Sequence, residues 1–171
     1  MKYKLGLVML FSVSFLSFAE GSKQGVPEVN YADLGWLVDV KADRMTDKKN
    51  ATAMLPSAEM NETVLALQCN EGEKNIRVGL ISVIDTFKGK TFTHRIDTDK
   101  SVSSTWEVNN MTAGGLAGSP DKLGLWKKLS EGKELLVEYK NYRNGSQIVT
   151  FNLEHYNTVL TKLKAECAIT Q

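Results

Sequence analysis

The sequence predicts a mainly β fold, an antiparallel β-sandwich or open barrel of about eight strands with a short helix and a C-terminal helix. Three observations predict it. Short segments of alternating apolar and polar residues recur along the 171-residue chain. Loops rich in Gly, Asn and Asp separate them, and apolar residues recur at helical spacing in only two places. This combination is typical of two packed layers of strands with a few helices at one end.

The N-terminus has the layout of a secretory signal peptide. Lys2 and Lys4 precede the uncharged apolar run 5–18, and Ser17 and Ala19 supply the small residues that a signal peptidase requires. We therefore expect residues 1–19 to be removed. The alternative, a membrane anchor, is disfavoured because about 14 residues span only about 21 Å as a helix, less than the roughly 30 Å hydrocarbon core. No stable membrane span is expected after cleavage.

The remainder is predicted to be a flexible lead-in, 20–33, followed by a single β-rich domain, 34–171. Removal of the two leader lysines leaves 19 of the 21 basic residues against 20 acidic ones. Nucleic-acid-binding proteins usually have a basic footprint, so no nucleic-acid partner is expected. A charged fraction of 24% and an apolar fraction of 42% fit a folded globular chain.

Eight segments fit strands. The first shows the pattern most clearly, because Trp36, Val38 and Val40 alternate with Asp39 and Lys41. The predicted strands are 35–43, 51–57, 63–69, 75–84, 90–97, 104–109, 133–140 and 146–154.

The connections carry turn-forming residues. Asn144 and Gly145 suit the positive φ angles of a tight hairpin between the last two strands. The segment 109–120, "NNMTAGGLAGSP", is predicted to be a flexible glycine-rich connection that could also clamp a ligand or partner.

Two helices are predicted. Ser119 as N-cap, Pro120 in the first position and Gly132 as the stop define a short amphipathic helix. A longer helix closes the chain over 154–167, where apolar residues recur at helical spacing.

The only two cysteines, Cys69 and Cys167, are predicted to form a disulfide, because an exported chain meets an oxidising compartment. Cys69 shares one face of the third strand with Leu65 and Leu67, and Cys167 lies on the apolar side of the closing helix. The bridge would close a loop of about 100 residues, worth about 4–5 kcal/mol on the chain-entropy model. The alternative is two unpaired buried thiols.

Little in the sequence indicates catalysis, a metal or a cofactor. His94 lies on an apolar strand face, His155 begins a helix, and their spacing matches no zinc motif. No G-x-S-x-G elbow precedes a helix. We therefore expect no metal and no cofactor.

A binding surface is predicted from the remaining polar positions. Asp43, Thr46 and Asp47 offer hard oxygen ligands but lack the calcium-loop register, so they read as a charged hairpin turn. Asp97 could act as an acid or base with Asp99, although Arg95 is a ready salt partner for it. With the glycines of the 109–120 segment, the predicted surface comprises Asp43, Thr46, Asp47, Arg95, Asp97, Gly114 and Gly115.

The order of short motifs resembles a known family. An early strand leads to "DRMTDKKNATAML"; then come "LALQC", "DTFKGKTFTHRID", "TW" and "LLVEY", and finally "VTFNLE", a helix and a cysteine. This order resembles the small exported proteins associated with bacterial type VI secretion, of the VasI/TagO type, over residues 34–167. The resemblance implies a periplasmic accessory or binding role with an envelope or secretion-system protein as partner.

We therefore expect a non-enzymatic periplasmic or secreted binding protein. Two alternatives stay open. A carboxylate-dependent hydrolase using Asp97 predicts two carboxylates within about 10 Å across a groove. An inhibitor of an envelope enzyme predicts one rigid exposed loop.

Overall fold

The computed structural model describes residues 29–59, 63–112 and 114–170. The predicted signal peptide and residues 20–28 of the lead-in lie outside this part of the chain. The described residues form ten strands in two antiparallel sheets. The strands are β1 Leu37–Ala42, β2 Lys49–Pro56, β3 Thr63–Asn70, β4 Arg77–Ser82, β5 Thr91–Ile96, β6 Val102–Thr105, β7 Glu107–Met111, β8 Gly114–Gly118, β9 Glu134–Asn141 and β10 Gly145–Asn152.

The two sheets pack face to face as a sandwich, which confirms the predicted mainly β fold. One sheet has six strands in the order β1-β2-β3-β4-β8-β7, and the other has four in the order β10-β9-β5-β6. Leu65, Leu67 and Leu80 of the first sheet and Leu135 and Val137 of the second are fully buried between them. None of the described helices is long and apolar enough to cross a bilayer.

The helices are short. Single 3₁₀ turns form at Tyr31–Leu34, Asp121–Leu123 and Leu129–Glu131, and the α-helices are α1 Leu125–Lys128 and α2 Tyr156–Glu166. The first 3₁₀ turn falls inside the predicted lead-in, and Tyr31 and Leu34 pack against the core.

The predicted sixth strand is two strands that belong to different sheets. β6 pairs with β5, and β7 pairs with β8, so the chain changes sheets at Trp106. The Trp106 ring is buried and stacks on Phe92 at 4.7 Å between ring centroids. Its main-chain N–H donates to the Lys90 carbonyl at 2.8 Å. Burial of this large ring between the sheets fixes the corner.

The predicted glycine-rich connection is also wrong in part, because residues 114–118 form β8 in the interior of the six-stranded sheet. The sheet needs glycine here. A Cβ on Gly114 would lie 2.6 Å from the Ser82 carbonyl oxygen, and one on Gly115 would lie 2.8 Å from the Phe87 ring. Close packing, rather than flexibility, explains both glycines.

The predicted short helix is interrupted. Pro120, rather than Ser119, occupies the N-cap position of the 3₁₀ turn and makes no side-chain hydrogen bond to it. Gly124 then adopts a left-handed conformation with φ +55°. α1 follows with four residues, of which Leu125 and Trp126 are buried. Gly124 divides the helix because glycine permits a conformation that other residues avoid.

The closing helix and the disulfide confirm their predictions. α2 buries Tyr156, Val159, Leu160 and Leu163. Cys167 follows it directly, and its Sγ lies 2.07 Å from that of Cys69 in β3, with both residues fully buried.

A charge cluster reinforces the same end of α2. The Glu166 carboxylate accepts hydrogen bonds from Lys49 Nζ at 2.9 Å and from Lys162 Nζ at 2.5 Å. These lysines hold the pKa of Glu166 below its ordinary value. The helix is thus joined to β2 by charge and to β3 by a covalent bond.

Removing the disulfide should lower the melting temperature by roughly 10 °C, because it closes a loop with a sequence separation of 98 residues. We expect reductant to lower the melting temperature of the wild type towards that of a Cys69→Ala/Cys167→Ala variant and to leave the variant unchanged. A thiol assay in denaturant should detect free thiols only after reduction. Two titratable thiols in the unreduced protein would contradict the bridge.

Candidate functional site

The turn between β1 and β2 holds three of the predicted surface residues, and its polar groups bond to one another. The Asp43 carboxylate accepts from the main-chain N–H groups of Met45 and Thr46, both at 2.9 Å, and from the Thr46 hydroxyl at 3.0 Å. The hydrogen bond from Met45, followed by those from Thr46, holds the pKa of Asp43 below its ordinary value. Asp47 adopts a positive φ of 57°. Asp43 therefore shapes the turn.

Asp97 ties two strands together. It follows β5 with a φ of +47°, and its Oδ1 accepts from the main-chain N–H groups of Lys133 at 2.9 Å and Glu134 at 2.8 Å. Its own N–H donates to the Glu134 carbonyl at 3.0 Å. The carboxylate thus fixes the start of β9 beside the end of β5. Arg95 lies on the solvent side of the four-stranded sheet, where the strand register places it opposite Leu136.

The structure places the predicted surface residues in three separate regions. The 43–47 turn adjoins β1 at one edge of the six-stranded sheet, whereas Gly114 and Gly115 lie in β8, four strands away. Four inter-strand spacings correspond to about 19 Å. Arg95 and Asp97 belong to the other sheet. Whether any of these residues binds a partner stays a prediction, but they do not form one continuous patch.

The outer faces of the two sheets differ in chemistry. On the four-stranded sheet, the outward positions set by the register are mostly threonine, serine and charged residues, with Leu136 and Ile148 as the apolar exceptions. On the six-stranded sheet, apolar side chains occur at outward positions of β1, β2, β3, β4, β7 and β8. These are Leu37, Met54, Val64, Ile81, Met111 and Leu116.

We call these six residues the apolar face. Leu37 is 56% exposed, Met111 60% and Leu116 42%. Contiguous exposed apolar patches are uncommon on monomeric proteins and commonly mark interaction sites.

A hollow of about 330 Å³ lies on the same side of this sheet. Gly79 and Gly118 are paired neighbours on β4 and β8 and form its floor. Ala66 and Leu116 add apolar walls, and Arg77 and Glu107 contribute one charge of each sign. The hollow exists because two adjacent strands both lack a side chain at the same level.

Glycine occurs at positions 79 and 118 for different reasons. A Cβ on Gly79 would lie 2.8 Å from the Ala117 carbonyl oxygen, so the fold requires glycine there. A Cβ on Gly118 would meet nothing within 4 Å, and its φ lies outside the left-handed region. Neither packing nor backbone conformation explains glycine at position 118, whereas an open hollow does.

His94 is a buried core residue, as its position on an apolar strand face predicts. It is 4% exposed, and its Nδ1 has no hydrogen-bond partner among the described residues. Burial, with a smaller contribution from the positive charge of Lys128, lowers the pKa of His94. No group of three or more potential metal-ligating side chains is present in the described part of the chain.

Sequence reasoning missed the apolar face because the central strands are apolar on both sides. In β3, Leu65 and Leu67 point inward and Val64 and Ala66 outward, so the run reads as a fully buried strand. The signal that could have found the hollow is the pair Gly79 and Gly118, but only the strand register shows that they are neighbours.

Comparisons with known proteins give the fold but no family. No family model matches the chain, and no curated protein matches it. Among solved structures, the chain is similar to the crystal structure of invasion associated protein B from Bartonella henselae, with a TM-score of 0.55 and 14% identity. The alignment covers 77% of this chain and 92% of that one. At this identity the similarity shows the fold alone.

Replacement of Asp97 by alanine should lower the free energy of unfolding by about 2 kcal/mol, because two main-chain N–H groups lose their acceptor and alanine disfavours positive φ. Asp97→Asn should lie between this variant and the wild type, since an amide oxygen can still accept. Urea unfolding measures the difference. Asp99→Ala is the control, two residues away, and we expect it to stay within about 0.5 kcal/mol of the wild type. Equal losses for Asp97→Ala and Asp99→Ala would contradict the assigned role.

The lowered pKa of His94 predicts that acid destabilises the fold. Below about pH 6.5 the unfolded chain binds a proton that the buried imidazole resists, so the free energy of unfolding should fall by up to about 1.4 kcal/mol per pH unit. The contribution of the neutral His94 to the free energy of unfolding is fully present above about pH 6.5. Urea unfolding between pH 7.5 and about 5 should show the slope, and His94→Gln should reduce it. His155→Gln is the control, because it removes the other histidine; an unchanged slope in His94→Gln would exclude His94 as the cause.

Proposed function

We propose that this chain is an exported accessory protein that binds another protein through its apolar face and has no catalytic role of its own. One observation carries the proposal: apolar side chains and a glycine-floored hollow occupy the outer side of one sheet, while the outer side of the other sheet is hydrophilic. A face that merely covered the core would have no reason to differ in this way.

The size and chemistry of the hollow favour a partner that inserts one large apolar side chain. Interface affinity is commonly concentrated in a few buried anchors, which fill pockets surrounded by polar groups. The floor of Gly79 and Gly118 is apolar, and the opposite charges of Arg77 and Glu107 stand at the rim. Such a site accepts an uncharged anchor and discriminates against a charged one.

The extent of the face favours a protruding segment of the partner over a broad flat surface. Six strands span about 24 Å across, and the apolar positions occupy only a few residues along each strand. A standard stable interface buries about 800 Å² on each partner. The apolar face has six residues, fewer than the roughly 20–30 that each side of such an interface contributes, so a second copy of the chain would gain little from packing against it.

Two features support our proposal that the protein is exported. The buried disulfide fits a protein that folds in an oxidising compartment, and the N-terminal sequence has a signal-peptide pattern. We propose a periplasmic location and an envelope or secretion-system protein as partner. A role beside type VI secretion rests on the motif resemblance. The structural neighbour is described as invasion associated, which is compatible with an accessory role and does not identify a partner.

One observation favours a second candidate, an inhibitor of an envelope enzyme. Met45 is 91% exposed at a turn that the hydrogen bonds of Asp43 and Thr46 shape. This is the kind of loop that an enzyme groove could accept. The hydrolase alternative has less support, because the Asp97 carboxylate already binds two main-chain N–H groups.

Site-specific photo-crosslinking in envelope extracts tests whether the apolar face binds a partner. A photo-reactive amino acid at Met111, on the apolar face, should capture a partner, and the same group at Val102, on β6 of the other sheet, should not. Both positions carry exposed apolar side chains, with exposed fractions of 60% for Met111 and 43% for Val102, so a partner can reach both. Gly118→Leu should abolish capture from position 111 without lowering the melting temperature, because the leucine side chain would occupy the hollow and a Cβ at this position has no protein atom within 4 Å.

Three outcomes would count against binding at the apolar face. They are equal capture from positions 111 and 102, capture that Gly118→Leu leaves intact, and crosslinks only to a second copy of this chain. If Met45→Ser abolished capture of the partner and Gly118→Leu did not, the result would instead favour the proposal of an enzyme inhibitor.

A further inference from the structure

A second hollow lies between the sheets at the end of the sandwich where β2, β4 and β9 finish and β3 and β10 begin. Its volume is about 280 Å³. We call it the end pocket; its lining includes Ser57, Glu59, Thr63, Ser82, Asn141 and Gln147. The disulfide is at the opposite end of β3, since Thr63 and Cys69 are separated by about 20 Å along that strand.

Buried polar side chains are concentrated in the end pocket. The described part of the chain buries five polar or charged residues, and four of them line this hollow. These are Ser57, Thr63, Ser82 and Asn141. Among the described residues, His94 Nδ1 is the buried side-chain polar atom without a partner, so the polar atoms of this pocket are either hydrogen-bonded or open to solvent. The open ones are accessible to a polar occupant.

Some of these groups already have protein partners. The Thr63 hydroxyl and the Tyr139 hydroxyl lie 2.5 Å apart and join the two sheets. Asn141 Oδ1 accepts from the Asn144 N–H at 2.8 Å, and Glu59 Oε2 accepts from the Thr150 N–H at 2.8 Å. These bonds hold the pocket walls in place.

Other polar atoms of the lining have no partner among the described residues. The Ser57 hydroxyl and the Asn141 amide nitrogen are donors of this kind, and Gln147 Oε1 and Glu59 Oε1 are acceptors. The lining therefore offers both donors and acceptors. A ligand that both donates and accepts at several positions would satisfy them together.

The charge of the lining excludes anions. Among the described residues of the lining, Glu59 is the one carboxylate, and none is a lysine or an arginine. Burial opposes ionisation of Glu59, but hydrogen bonds from Thr150 outweigh it and hold the carboxyl pKa below its ordinary value. A fixed negative charge without a basic partner would repel phosphate or a uronic acid. The volume is near the lower limit for ligand pockets, which restricts the occupant to one ring.

We infer that the end pocket binds a single neutral, polyhydroxylated ring, the chemistry of a sugar unit, through the Ser57 hydroxyl, the Asn141 amide and the acceptors on Gln147 and Glu59. The apolar side chain of Val149 completes the wall. This binding site is distinct from the apolar face, which lies on the opposite side of the six-stranded sheet. Success or failure of either assignment leaves the other unaffected.

Titration of the disulfide-bonded full mature chain with glucose, N-acetylglucosamine and glucuronate, followed by amide NMR shifts, tests the inference. At least one neutral sugar should give saturable shifts at Ser57, Asn141 and Gln147, with a Kd on the order of 1 mM. Glucuronate should bind at least about tenfold more weakly, as expected for one unfavourable charge contact. The methyl glycosides distinguish two sources: retained binding favours the terminal unit of a glycan, and loss favours a free reducing sugar.

Asn141→Asp is the informative variant. It keeps the oxygen that accepts from Asn144 but replaces the amide donor with a charge, so it should weaken sugar binding by about tenfold or more. Asn152→Asp is the matched control. Asn152 Oδ1 likewise accepts a nearby main-chain N–H, from Glu154 at 2.9 Å, at the far end of β10. Its sugar affinity should stay within about twofold of the wild type.

The inference is overturned if no neutral sugar gives saturable shifts, which would mean that the pocket holds water only. It is also overturned if the shifts map elsewhere, or if glucuronate binds as tightly as glucose. Equal weakening by Asn141→Asp and Asn152→Asp would likewise remove the assignment to the end pocket.

Discussion

The disulfide between Cys69 and Cys167 is the constraint on which the rest of the structure depends. It fixes the C-terminal end of α2 to β3, a central strand of the larger sheet. The helix can then bury Tyr156 against Trp36, whose ring lies edge-on at a centroid distance of 6.1 Å. Because α2 and the two inner sheet faces supply the core, neither outer sheet face needs a covering helix. The two outer faces can consequently differ in chemistry: the outer face of the six-stranded sheet carries apolar side chains, and that of the four-stranded sheet is mostly polar and charged.

Much of the fold could be predicted because strand alternation and cysteine pairing are local or unique features. Trp36 and the inward residues of β3 follow a period of two, and two cysteines permit one intramolecular pair. Of the two turn residues predicted to adopt positive φ, Gly145 does so, with a φ of 74°, and Asn144 does not. These features need no knowledge of which strands are neighbours. The failures within the sheets depend on that knowledge.

Trp106 illustrates the first kind of failure. Residues 104–109 are predicted to form one strand, and the bend at Trp106 that divides them arises because a buried ring must lie between two sheets. Gly114 and Gly115 illustrate the second. Glycine is unfavourable in strands, so the sequence indicates a loop, yet contacts with Ser82 and Phe87 leave no space for a side chain. Asp97 illustrates the third, because its role depends on the main chain of Lys133, which is distant in sequence. In each case a long-range contact overrides a local propensity.

The same reasoning explains why the two proposed binding regions can coexist in a small domain. Gly79 and Ser82 belong to one strand, β4, and are about 10 Å apart along it. Alternation directs Gly79 outward to the apolar face and Ser82 inward to the end pocket. Each region therefore uses a different side of the same backbone, and a substitution that fills one does not reach the other. The rigid pairing of β4 with β3 and β8 holds both regions in place, so neither requires the other to be occupied.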